Sequence, residues 1–125
     1  MAKTLTIEIK STEEALEGFR KTFKALETGQ RVTRHEGVYF TSIEAARNLL
    51  TRSRLALLRA IRAQHPGSIY ELAKTVNRDL KNVQQDLRIL QDYGLVRMTP
   101  VRRTGKRRAK VPEAPFDEIA LKIAI

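Results

Sequence analysis

Lys81, Asn82, Gln84, Gln85 and Arg88 crowd into eight residues of one segment. Their chemistry suits base edges, because Lys and Arg donate to guanine while Asn and Gln can pair bidentately with adenine. At 100° per residue, Leu80, Val83, Leu87 and Leu90 form the core face of a helix over residues 79–93. Lys81, Gln85 and Arg88 then point away from that face, with Asn82 and Gln84 flanking them. A merely solvated helix face is the plain alternative. A second concentration of charge lies just beyond. Arg102, Arg103, Lys106, Arg107, Arg108 and Lys110 put six cations into nine residues around Thr104 and Gly105. Such a group repels itself unless an anion sits against it, and a basic loop can run along phosphates or enter a narrow minor groove. No aromatic residue lies between 102 and 110. Single-strand surfaces usually supply stacking aromatics, so the pattern favours duplex DNA.

Catalytic chemistry has little to work with. The chain has no cysteine, which removes thiolate nucleophiles, disulfides and Cys-type zinc sites. His35 and His65 stand 30 residues apart without a ligand spacing, and neither a GxxxxGK[ST] nor a GxGxxG loop is present. The acidic pairs Glu13–Glu14 and Asp117–Glu118 read as helix-start and solvent charges. The expectation is a protein that is not an enzyme and carries no metal and no cofactor.

The elements that must position the basic residues follow from periodicity. Leu5, Ile7 and Ile9 alternate with Thr6, Glu8 and Lys10, the period of a half-buried strand. Ser11 with Glu14 makes a capping box for a helix that buries the stripe Leu16, Phe19, Phe23 and Leu26. Residues 31–40, with Val38, Tyr39 and Phe40, read as a short extended segment or hairpin. Thr41 with Glu44 caps a second helix bearing Ile43, Ala46, Leu49 and Leu50. Thr51 opens a third, with Leu55, Leu58 and Ile61 apolar and Pro66-Gly67 as its breaker. Ser68 with Glu71 opens a short fourth helix, Asn77 supplies the turn, and Asp79 caps the helix that ends at Gly94. Two strands then flank the basic residues, Pro112 and Pro115 allowing no more than an edge strand for the second. Ile119, Leu121, Ile123 and Ile125 alternate to the last residue. Each terminal strand has one apolar face and should pair, most simply with the other, within one chain or across a dimer. A frayed C-terminus is the alternative.

The 125 residues suit a single domain with its own core, and 42% apolar residues in periodic runs argue against a disordered basic tail. The net charge of +10 points to a polyanionic partner. That excess is local: residues 1–41 hold 7 basic and 6 acidic side chains, and residues 42–125 hold 17 and 8. Neither a secretory h-region nor a run of about 18 apolar residues is found, so the expected location is the cytoplasm, on the nucleoid, with no membrane partner.

Leu49-Leu50-Thr51, Ser68-Ile69-Tyr70-Glu71-Leu72-Ala73, Arg78-Asp79-Leu80-Lys81-Asn82-Val83, Asp86-Leu87 and Gly94-Leu95-Val96 together resemble winged helix-turn-helix regulators of the MarR-like type. The N-terminal strand and helix, with Pro115-Phe116-Asp117-Glu118-Ile119 and the terminal strand, narrow the resemblance to a small family of predicted prokaryotic regulators of archaea and bacteria. Asn77 stands where such turns often have Gly, and the wing is more basic than is typical. The fold expected is α+β, mainly α, with three parts. Residues 1–40 form a dimerising strand-helix extension, 41–116 the winged helix-turn-helix, and 117–125 the last strand. The resemblance implies a homodimeric, sequence-specific regulator of double-stranded DNA, a repressor, with Ser68 and Arg78 as supporting contacts. The alternative it leaves open is an antitoxin that neutralises a cognate toxin and represses its own operon. A basic chromatin or RNA-associated protein without sequence preference is a third class.

Overall fold

The computed structural model describes residues 3–27, 37–102 and 108–125. Among these, five helices and five strands make a small α+β protein. Their order is β1 (Thr4–Ile9), α1 (Thr12–Glu27), β2 (Gly37–Phe40), α2 (Ile43–Leu49), α3 (Arg52–Gln64), α4 (Ile69–Thr75), α5 (Leu80–Asp92), β3 (Arg97–Arg102), β4 (Arg108–Glu113) and β5 (Glu118–Ile123). None of the described helices is long and apolar enough to cross a membrane. Two compact units result, one from Thr4–Arg47 with Glu118–Ile125, the other from Asn48–Asp117 with Lys3.

The first unit is a three-stranded parallel sheet in the order β2-β1-β5, which joins the two ends of the chain. β1 is central because both of its edges are used. Its register places Leu5 beside Ile119, Ile7 beside Leu121 and Val38, and Ile9 beside Ile123 and Phe40. Paired residues share a face, so the alternation seen in each segment adds up to one apolar side, on which Leu5 and Ile7 are buried. The expected pairing of the terminal strands therefore occurs within one chain. Residues 37–40 form a parallel strand rather than a hairpin arm, and residues 31–36 lie outside the described residues. At Gly37 a Cβ would stand 2.9 Å from the Thr6 carbonyl oxygen, so this close approach requires glycine.

Two expectations for this unit need correction. Ser42, not Thr41, caps α2, its hydroxyl accepting from the Ala45 N–H at 3.2 Å; either hydroxyl fits the sequence pattern, and the chain leaves β2 one residue later. Three residues of the expected α1 stripe are not buried: Leu16, Phe19 and Phe23 are 51%, 69% and 55% exposed, while the side chain of Leu26 lies outside the described residues. Phe19 and Phe23 stack instead on one another, with ring centroids 6.4 Å apart.

The second unit is built from α3, α4, α5 and the antiparallel pair β3–β4. Thr51 caps α3 by accepting from the Arg54 N–H, and His65 ends it in the left-handed region at φ 48°. Ser68 caps α4 by accepting from the Glu71 N–H at 3.0 Å, while Glu71 reaches back to the Gly67 N–H at 2.7 Å. Asn77 turns the chain between α4 and α5 at φ 54°, and Gly94 ends α5's exit at φ 78°. Asp79 caps α5 by accepting from the Asn82 N–H. Leu57, Leu58, Ile61, Leu72, Ala73, Val83, Leu87, Leu90, Leu95 and Val96 form the buried core. Leu57 enters this core where Leu55 was expected, because the buried stripe of α3 runs through 57, 58 and 61. Leu80 is 37% exposed, being the first residue of α5 and not yet over the packed turns.

Pro100 and Pro112 both lie within the β3–β4 ladder, opposite Lys110 and Met98. These rungs alternate with Thr99↔Val111, so both prolines fall in one class of pair, the class that exchanges no backbone hydrogen bonds.

Asp117 closes the second unit. Its carboxylate accepts from the Lys3 N–H at 2.7 Å and from the Arg62 guanidinium, which also donates to the carbonyls of Ala114 and Phe116. The Lys3 N–H first, and the Arg62 charge after it, hold the Asp117 carboxyl below its ordinary 3.8. A depressed carboxyl contributes stability that is complete above the ordinary value and is lost as pH falls through the lower folded value. The expected outcome is a melting temperature that falls on acidification below about pH 4. In Asp117→Asn it should start lower and respond less to acid, and parallel curves for the two proteins would contradict this.

Candidate nucleic-acid interface

α5 buries Val83, Leu87 and Leu90 and turns its other side outward, with Lys81, Asn82, Gln84, Gln85 and Arg88 all exposed. Positions 81, 84, 85 and 88 follow i, i+3, i+4, i+7, so four polar side chains capable of reading bases line one face of a rigid helix. Asn82 stands beside them, its backbone N–H held by Asp79.

Asp86 fixes how that face is presented. Its Oδ1 accepts from Arg54 Nε at 3.1 Å and its Oδ2 from Arg78 Nη2 at 2.8 Å. All three side chains are largely withdrawn from solvent, Asp86 to 15% and Arg54 to 16%. Arg54 Nη1 also donates to the carbonyls of Asn48 and Leu49. One carboxylate thus ties the middle of α5 to the first turn of α3 and to the turn preceding α5.

The expected supporting residues have other occupations. Arg78 directs its guanidinium at Asp86, and its Nη1 is buried without a hydrogen-bond partner among the described residues. Ser68 gives its hydroxyl to the α4 cap. Of the basic segment, Arg102 and Arg108 are register partners at the last rung of the β3–β4 ladder, whereas Arg103, Lys106 and Arg107 lie outside the described residues. Lys110 is exposed on β4.

Two features escape sequence reading. The Arg54–Asp86–Arg78 cluster joins positions up to 32 residues apart, and only Asp86 to Arg78, at i and i+8, lies near enough to have drawn notice. Tyr70 is 60% exposed at the start of α4, with Lys74 Nζ 5.1 Å from its ring centroid. Their i, i+4 spacing was a usable signal.

A depression of about 290 Å³ lies between the end of α3 and the base of the β3–β4 pair. Its cations are occupied: Arg62 by Asp117 and two carbonyls, Arg97 by Glu113 at 2.9 Å. The Arg97 hydrogen bond chiefly, then that of Thr99, lowers the Glu113 carboxyl below its ordinary 4.5. Among the described residues no group of three His, Asp or Glu is placed to hold a metal ion.

Comparison with known proteins returns no curated protein and no solved structure that matches this chain. The family model HVO_A0114 does match, over residues 49–121. Those residues begin at the last residue of α2, take in α3, α4, α5 and the β3–β4 pair, and run into β5. They make up more than half of the sequence, and the chain belongs to the HVO_A0114 family.

Proposed function

We propose that the protein is a regulator that binds double-stranded DNA through a winged helix-turn-helix. In this reading α4 braces α5, α5 enters the major groove, and the basic segment between β3 and β4 forms a wing along the phosphates or in the minor groove. The carrying observation is the outward face of α5, where Lys81, Gln84, Gln85 and Arg88 line one stripe with Asn82 beside it. Tyr70 and Lys74 on α4 suit a phosphate contact. Ser68 and Arg78 act indirectly, by holding α4 and α5. The wing supplies affinity and α5 supplies sequence preference, because point charges attract any phosphate whereas directional donors discriminate bases.

The protein acts as a homodimeric repressor that excludes polymerase from an operator, without an enzymatic activity. Two reading helices related by a dyad gain affinity through effective concentration, and the operator is accordingly palindromic, with half-sites about one helical turn apart. The residues outside the winged helix carry the dimer. Salt titration of binding to labelled duplexes tests this reading. The logarithm of the binding constant should fall linearly with the logarithm of salt, with a slope of about 0.9 per phosphate contact. Binding that ignores salt, or that prefers single strands, would contradict it.

A further inference from the structure

β5 has β1 on one side and, among the described residues, no strand on the other. Its backbone orientation follows from the sheet. The Lys10 N–H donates to the Phe40 carbonyl, so Lys10 turns its backbone toward β2. Ile9, Ile7 and Leu5 alternate with that and turn theirs toward β5. In a parallel pair such a residue bonds to the two neighbours of its partner; Ile7, opposite Leu121, therefore engages Ala120 and Lys122. Ile119, Leu121 and Ile123 are left with N–H and C=O groups directed at the open edge. Leu121 and Ile123 are also 51% and 48% exposed. An edge of this kind, apolar and without a proline, is a template for another strand.

We propose that the strand it takes is β5 of a second copy, in antiparallel register about Ala120, making one six-stranded sheet across the dimer. This deepens the proposed function, whose homodimer it presupposes. Two-fold symmetry requires an edge pairing of like strands to be antiparallel. The sequence Glu118-Ile119-Ala120-Leu121-Lys122 is complementary to itself when reversed. With Ala120 on the dyad, Glu118 stands opposite Lys122 of the partner subunit and Ile119 opposite Leu121 of the partner subunit, each twice by symmetry. Ile119 and Leu121 then form the hydrogen-bonded pairs. Glu118 and Lys122 fall in the other class, whose side chains are closer.

Neighbouring registers are worse. A shift of one residue opposes outward-facing backbone to inward-facing backbone and sets the apolar faces on opposite sides of the joint sheet. Centring on Leu121 places Lys122 against Ala120 and leaves Glu118 without a cation. Charge complementarity thus selects one register among those that the backbone allows, and it selects this chain as its own partner.

The test is a charge swap read by sedimentation equilibrium on the full chain. Glu118→Lys and Lys122→Glu each set like charges opposite one another at two places, and each should raise the dimer dissociation constant about tenfold. The double variant Glu118→Lys with Lys122→Glu restores both pairs and should return it to within about threefold of the parent. Glu118 also accepts from Thr4 Oγ1 within the chain, so the Lys122→Glu arm and the rescue separate the interface from that local loss. Circular dichroism confirms that each variant is folded. A parent dimer indifferent to all three changes, or a double variant no better than the singles, overturns this interface alone. A monomeric parent at micromolar concentration overturns the homodimer reading as well.

Discussion

Asp86→Ala is expected to cause the largest loss of stability of any single change on the α5 surface, about 3 kcal/mol. The carboxylate is shared by two guanidiniums, and all three groups are mostly out of solvent. Removing one member of a paired, withdrawn set leaves the others without a counter-charge, which costs far more than the pair itself contributes. Arg54 would keep the Asn48 and Leu49 carbonyls. Arg78, whose Nη1 is buried without a partner among the described residues, would lose its Asp86 acceptor. A protein of this size should melt roughly 10 °C lower. Asp86→Asn keeps an acceptor oxygen but no charge and should fall between the parent and the alanine variant. Thermal unfolding followed by circular dichroism checks both; a shift of less than about 2 °C in Asp86→Ala would mean that the cluster contributes no more than an exposed ion pair.

The second large effect concerns binding. Asn82→Ala or Gln85→Ala should cost roughly 1 to 3 kcal/mol on the preferred duplex and relax the consensus at the bases they face. Their side chains are exposed and take no part in the core, so the melting temperature should stay near that of the parent. Arg107→Ala should behave differently, weakening every sequence alike and lowering the salt slope by about one. Competition binding with preferred and scrambled duplexes at several salt concentrations separates the two patterns. Equal losses on both duplexes for Gln85→Ala would remove α5 from base reading.

How far the sequence disclosed the fold depends on the range of the interaction concerned. Hydroxyl and carboxylate caps at Thr51, Ser68 and Asp79, and the turn residues Asn77 and Gly94, act within a few residues of themselves and were legible. Alternation in 5–9 and 119–125 announced strands, and their exposed apolar faces announced that they pair; only the coordinates could show the pairing to be parallel and within the chain. Periodicity misplaced residues where two stripes compete. Leu55 and Leu57 are both apolar, and which one enters the core depends on the neighbours of α3. It also cannot tell a face buried by the same chain from one left outward, as α1 demonstrates with Phe19 and Phe23. The outward residues of α5 were legible because helical geometry fixes them once Val83, Leu87 and Leu90 are buried. The roles of Arg78 and Asp86 were not, since an ion pair with Arg54, 32 residues away, leaves no trace in local spacing.

Base reading by α5 in duplex DNA is open to test by selection of bound sequences from random duplexes. The parent should return a palindrome whose half-sites lie about one helical turn apart. Gln85→Ala should return the same palindrome with information lost at a symmetric pair of positions. A parent that returns no enriched sequence, or the same consensus from both proteins, would contradict base reading by α5.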